Sequence, residues 1–318
     1  MKLTFEQIRS VAVGSIDTHV ENGAIHFAKC TEKQCEAWYR KSQTLGDRAR
    51  TTTGVRLDFH TNSQSLAFKV LSGKPYDIKV DGLVYLRAKP ESGEVVSMTL
   101  SDPLGNAKEE YRVTIVLPCH QVSTLEYVEL DDGAYVKPHT FDKKILFIGD
   151  SITQGYASSH DSYSYAYRVS DFFNAESVIQ GIGGAYFNEE SFDSIDFDPD
   201  VVIMSYGTND FGHYSTYEDL RFHADAHMAL VAKEYAGKKL FAISPIWRDK
   251  REGKAMGTFE ECRRIIAECA VANGFEHIDG LTLVPPRPDL FHDEYLHPND
   301  NGFSLYAENL IKCLIGKI

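Results

Sequence analysis

From Lys144 to the C-terminus, solid apolar runs alternate with amphipathic stretches. Lys144-Ile-Leu-Phe-Ile148 carries four apolar residues in succession without polar alternation, the pattern of a strand buried on both faces. Runs over 176–180, 201–206, 239–244 and 275–278 read as further strands, and periodicity predicts helices over 161–174, 216–236, 258–273 and 302–314. Strand and helix in strict alternation imply a parallel sheet with helices on both faces, a doubly wound three-layer α/β architecture. The first 140 residues differ: past the opening segment they show short β-rich runs divided by turn residues. Gly54 to Phe59 alternates Val55, Leu57 and Phe59, expected inward, with Arg56 and Asp58, expected outward. Similar runs at 65–70, 76–80, 95–100 and 111–116, with turns at Asp81-Gly82 and Ser92-Gly93, predict an all-β sandwich, jelly-roll-like in strand spacing. Its core is expected to take in Trp38, Tyr39, Tyr76 and Tyr85. Two domains follow, 1–140 and 141–318, joined between Gly133 and Asp142.

A formal net charge of −13 over 318 residues argues against nucleic acid and anionic membrane surfaces as partners, since neither offers that charge an electrostatic gain. A small-molecule or oligosaccharide substrate fits better, and the oligomeric state is left open. Charged residues occupy the N-terminal positions where a signal peptide has its apolar run, and no stretch is long enough to span a bilayer, so a soluble cytoplasmic protein is expected. Six cysteines without a Cys-x-x-Cys pair indicate neither a zinc site nor a disulfide scaffold. No phosphate loop, dinucleotide fingerprint or metal-ligand spacing is visible, and no cofactor is expected.

Three strands end in turn motifs: Gly149-Asp150-Ser151, Gly183-Gly184 and Gly207-Thr208-Asn209. In open parallel sheets ligands bind just beyond the carboxyl ends of strands, so these motifs should gather at one edge. His297-Pro298-Asn299 precedes the last helix. Acyl transfer needs a nucleophile, a base to take its proton, and donors aimed at the oxyanion of the tetrahedral intermediate. Ser151 supplies the nucleophile and His297 the base. The backbone N–H groups of Ser151 and Gly184 and the side-chain amide of Asn209 supply the donors. Asp150 and Asp210 read as hydrogen-bond partners of the neighbouring turns. Trp247-Arg248, just after the 239–244 strand, should lie on the same edge, where they could stack on or hydrogen-bond a sugar.

In this order and spacing, Gly149-Asp-Ser151-Ile-Thr, the Gly-Gly turn, Gly207-Thr-Asn209-Asp210 and His297-Pro-Asn resemble the SGNH (GDSL) hydrolases, a family of esterases, lipases and thioesterases. The resemblance covers about residue 141 to the end and implies a flavodoxin-like fold, with Ser151, Gly184, Asn209 and His297 as its four named residues. A β-sandwich placed before Gly-Asp-Ser-Ile-Thr-x-Gly-Tyr, with Gly-Thr-Asn-Asp-Phe211 later, is similar to carbohydrate esterase family two, whose members remove acetyl groups from cell-wall sugars. The third triad member of the larger family is usually an aspartate three residues before the histidine, which here is Glu294; Asp293 is one residue further away. Three partners for the imidazole stay open: Glu294, Asp293, or a backbone carbonyl that leaves a Ser-His dyad.

The sequence thus points to a cofactor-free serine esterase acting on short acyl groups, acetyl foremost, carried by a carbohydrate. A lysophospholipase or thioesterase on the same core, and a carbohydrate-binding protein without turnover, are the alternatives.

Overall fold

The structure, a computed structural model, describes residues 1–293 and 295–318, which fall into two compact units. The first comprises Met1–Lys29, Arg50–Phe141 and His160–Ser162. It is built from two antiparallel sheets. One runs Asp17–Glu21, Ala24–Ala28, Thr124–Leu130, Ser65–Ser72, Val95–Thr99 in spatial order. The other runs Ala12–Val13, Arg56–Thr61, Tyr111–Val116, Tyr76–Val80, Leu83–Ala88, with Lys137–Pro138 paired to Arg56–Thr61. Phe27, Phe68 and Leu125 from one sheet and Phe59, Tyr76 and Tyr111 from the other belong to one buried core, which makes the unit a sandwich.

The expected outward placement of Arg56 and Asp58 does not hold, since both are buried. Alternation fails here because the charges are satisfied within the sheet. Asp58 accepts two hydrogen bonds from Arg112, at 2.9 and 2.8 Å, and the Phe141 ring lies over both guanidiniums at 5.5 and 6.0 Å. Burial would raise the Asp58 carboxyl, but the two arginines hold it below its ordinary value.

The second unit comprises Cys30–Ala49, Asp142–Ser159 and Tyr163–Ile318. Its strands, numbered in chain order, are β1 (Lys143–Gly149), β2 (Ala175–Gly181), β3 (Val201–Ser205), β4 (Lys239–Ile243) and β5 (Glu276–Ile278). They form a parallel sheet in the order β2-β1-β3-β4-β5, the flavodoxin-like arrangement expected. Helices Tyr165–Phe172 and Asp300–Leu314 pack as one pair, and Tyr217–Glu234 and Phe259–Ala272 as another. The order reverses between β1 and β3, so their carboxyl ends open the crevice in which such folds bind ligands.

The helices Glu32–Lys41 and Gln43–Ala49, which stand in the stretch read as all-β, belong to this second unit. A capping box supports the first of them: Thr31 accepts from the Gln34 N–H, and the Gln34 side chain accepts from Thr31. Trp38 is a core residue as expected, but on this helix, edge-on to Tyr186 at 5.6 Å. Of the other aromatics, Tyr76 is fully buried, Tyr39 half-buried with its hydroxyl on Asp47, and Tyr85 exposed. Among the described residues no helix is long and apolar enough to cross a membrane.

Candidate active site

Gly149 ends β1 where there is no room for a side chain, since a Cβ would lie 2.7 Å from the Ser205 carbonyl oxygen on β3. The chain then turns. Asp150 caps a single helical turn, Ser151–Gln154, by accepting from the Ile152 N–H at 2.9 Å, and Gly155 closes it in the left-handed region at φ 87°. Ser151 is therefore the first residue of that turn, fixed at the sheet mouth.

Its Oγ lies 2.9 Å from His297 Nε2. The other ring nitrogen, Nδ1, lies 2.7 Å from Asp293 Oδ2. The two Asp293 oxygens have separate tasks. Oδ1 accepts backbone N–H groups from Tyr295, Leu296 and His297 at 3.2, 2.7 and 3.0 Å, winding the loop around the carboxylate, while Oδ2 holds the ring. The loop is pinned further by the His292 N–H on the His297 carbonyl and the Asn299 N–H on the Leu290 carbonyl. Burial alone would raise the Asp293 carboxyl, but these donors outweigh it and hold the group below its ordinary value. Burial pulls the His297 imidazole below its usual value, and the Asp293 carboxylate offsets only part of that. A histidine of this kind stays neutral, and able to accept a proton, below the usual imidazole range.

Gly184 follows β2 at φ 85°, a conformation that L side chains rarely adopt. A Cβ there would also sit 3.2 Å from Arg48 Nη1 and 3.4 Å from Leu45 Cδ2. Asn209, after β3, donates one amide hydrogen to the Ala185 carbonyl at 2.9 Å. Its nitrogen carries a second hydrogen, so the contact orients the group and still leaves a donor. Asp210 ties the two motifs together by accepting from the Phe187 N–H at 2.9 Å. Asp150 and Asp210 thus both hydrogen-bond neighbouring turns. Both are fully enclosed and pushed up to about 7, chiefly by burial; the charge of Asp210 adds to the shift of Asp150.

Trp247 is half-buried, with its ring 5.2 Å from that of Phe291. Arg248 is buried: it donates from Nη1 to the Thr208 carbonyl at 2.8 Å and lies near the rings of Phe211 and Phe259. That position braces the turn before Asn209. Glu294 lies outside the described residues.

Two residues at the site were not singled out from the sequence. Tyr156, just past the Ser151 turn, sets its ring 4.6 Å from that of His297, and its place beside the motif was the available signal. Arg48 donates to the Gly183 carbonyl at 2.8 Å from a helix 135 positions away, and nothing local marks it.

The profile of the GDSL-like lipase/acylhydrolase family matches residues 147–305, and the chain belongs to that family and is a carboxylic ester hydrolase. No curated protein gives a sequence match. Among solved structures, a salicylyl-acyltransferase from a tetracycline biosynthetic pathway superposes with a TM-score of 0.79 at 18% identity, over 96% of this chain and 95% of its own. A family two carbohydrate esterase from Cellvibrio japonicus gives 0.67 at 15% identity over 95% and 93%. One from Clostridium thermocellum, in complex with cellohexaose, gives 0.63 at 18% over 84% and 93%. At these identities the likeness establishes the two-domain fold: antiparallel sheets followed by a parallel α/β unit.

Proposed function

We propose that the chain removes short acyl groups, acetyl foremost, from a carbohydrate through an acyl-enzyme on Ser151. The observation that carries this reading is the continuous relay from Ser151 Oγ to His297 Nε2 at 2.9 Å and from Nδ1 to Asp293 Oδ2 at 2.7 Å. Ser151 attacks the ester carbonyl while His297 takes its proton, and Asp293 stabilises the imidazolium that forms. The oxyanion is met by the N–H groups of Ser151 and Gly184 and by the remaining amide hydrogen of Asn209. Collapse breaks the bond to the sugar oxygen, which leaves with the proton from His297. Water then attacks the acyl-enzyme, with His297 as base, and frees the acid.

The preference for a short acyl group is supported by Arg48 and Leu45, which fill the space beside Gly184. The sugar is supported by the likeness to family two carbohydrate esterases and by exposed Tyr156 and half-buried Trp247 near the His297 loop. A second reading, transfer of the acyl group to an alcohol instead of water, is favoured by the near-complete superposition on the salicylyl-acyltransferase.

The test is initial rates on p-nitrophenyl acetate, butyrate and octanoate beside acetylated xylo-oligosaccharide, with and without an added sugar alcohol, and with Ser151→Ala as blank. Acetate preference with acetate released from the sugar is expected, and the blank should be inactive with an unchanged melt. Preference for octanoate would replace the substrate class with a lipid or thioester. Ester formation on the alcohol would select transfer, and activity retained by Ser151→Ala would remove the mechanism.

A further inference from the structure

The first hairpin of the sandwich unit carries an arrangement that ester hydrolysis does not use. Asp17–Glu21 and Ala24–Ala28 are joined by Asn22-Gly23, at φ 50° and 79°, the two-residue loop that matches the twist of paired strands. A loop of that length fixes the register, so Glu21 pairs with Ala24, His19 with His26 and Asp17 with Ala28. Side chains two apart on a strand share a face, and directly opposed residues share it across the pair. Two histidines and two carboxylates are therefore held on one face, flanked by alanines that leave room around them. The His19 and His26 rings lie parallel, 5.2 Å apart, at an interplanar angle of 3°. A ring nitrogen of each and a carboxylate oxygen of Glu21 lie within 4.8 Å of one another. His19 Nδ1 meets Asp17 Oδ2 at 2.8 Å. A carboxylate on one ring nitrogen fixes the tautomer and leaves the lone pair of the other, Nε2, to be offered to a metal, the way metal-binding histidines are commonly held.

We infer that this hairpin binds a divalent transition-metal ion, zinc in particular, through His19, His26 and Glu21. Asp17 positions His19, and water completes the coordination. Two imidazoles and one carboxylate suit zinc, copper or nickel and disfavour magnesium and calcium, which take oxygen donors. Bonds of about 2.0–2.1 Å in a tetrahedron place donor atoms about 3.3 Å apart, so the parallel rings must tilt toward each other on binding. His19 and Glu21 are exposed and have the freedom to move toward the half-buried His26. Asp17–Glu21 is the outermost strand of its sheet, so the ion would clamp an edge strand to its neighbour and stabilise the folded unit by linkage.

The experiment is zinc titration of the tag-free full chain in competition with a chromophoric chelator, with thermal melts recorded alongside. One equivalent of zinc is expected, with a raised melting temperature. His19→Gln and His26→Gln should each weaken binding at least tenfold, and Asp17→Asn, which keeps all three ligands, about tenfold. Circular dichroism checks that each substitution leaves the fold intact, and hydrolysis by the variants should match wild type. Equal zinc affinity in wild type and the His19→Gln/His26→Gln double variant would overturn the inference, as would no binding by wild type at millimolar zinc.

Discussion

Replacing Asp293 with asparagine separates the two tasks of that side chain. Oδ1 accepts three backbone N–H groups, so the asparagine oxygen must take that place; the amide nitrogen there would set donor against three donors. The NH2 then faces His297 Nδ1, where Oδ2 now lies at 2.7 Å. A donor at that point makes Nδ1 the acceptor and moves the proton to Nε2, which can no longer take one from Ser151. On this argument kcat falls roughly 10³–10⁴-fold, about 4–5.5 kcal/mol of transition-state stabilisation. The loop keeps its three hydrogen bonds and loses only their charge. Because the carboxylate is partly solvent-exposed, that loss is about 1–2 kcal/mol, a fall of a few degrees in melting temperature. The acid limb of kcat/KM offers a second readout. In the wild type, burial lowers the His297 pKa and Asp293 offsets part of the effect, so removing the carboxylate should move any residual limb to lower pH. The assay is kcat and kcat/KM on p-nitrophenyl acetate from pH 4 to 8 beside thermal melts, with Glu294→Gln run in parallel. A loss below tenfold in Asp293→Asn, or an equal or larger loss in Glu294→Gln, would refute the assignment.

Asn209→Ala removes an oxyanion donor and should lower kcat about 10²–10³-fold with little change in KM, measured by steady-state rates on the same ester. Gly184→Ala puts a Cβ at φ 85° and 3.2 Å from Arg48 Nη1; it should cost about 1–2 kcal/mol of stability by thermal melt, and shift the N–H enough to lower kcat about 100-fold. Asp150 and Asp210 have folded pKa values of about 7, above those of the unfolded chain, so between about pH 4 and 7 the folded state holds more protons. Their contribution is present at the acid end and is lost as pH rises through 7. Asp210→Asn removes one such share, so between about pH 4 and 7 the melting temperature of the variant should change less negatively with pH than that of the wild type; equal slopes would refute it.

The sequence alone determined the elements that depend on neighbouring residues. A run such as Ile145 to Ile148 needs burial on both faces whatever surrounds it, and Gly149-Asp150-Ser151 turns the chain wherever that strand lies. The order of strands and turns also fixed the doubly wound class, because short right-handed crossovers leave few alternatives. What the sequence could not supply was partner choice, which depends on distances across the fold. Counting back from His297 left Glu294, Asp293 and a backbone carbonyl open; the choice follows the loop, which is wound around Asp293. Strand alternation places Arg56 and Asp58 outside, but Arg112, from a neighbouring strand, and Phe141 make a buried charge tolerable there. Arg48 reaches Gly183 only because its helix packs in the second unit, and His19 faces His26 only because Asn22-Gly23 sets the register. Backbone preference acts over a few residues, whereas a side chain's partner is set by packing between segments far apart in the chain.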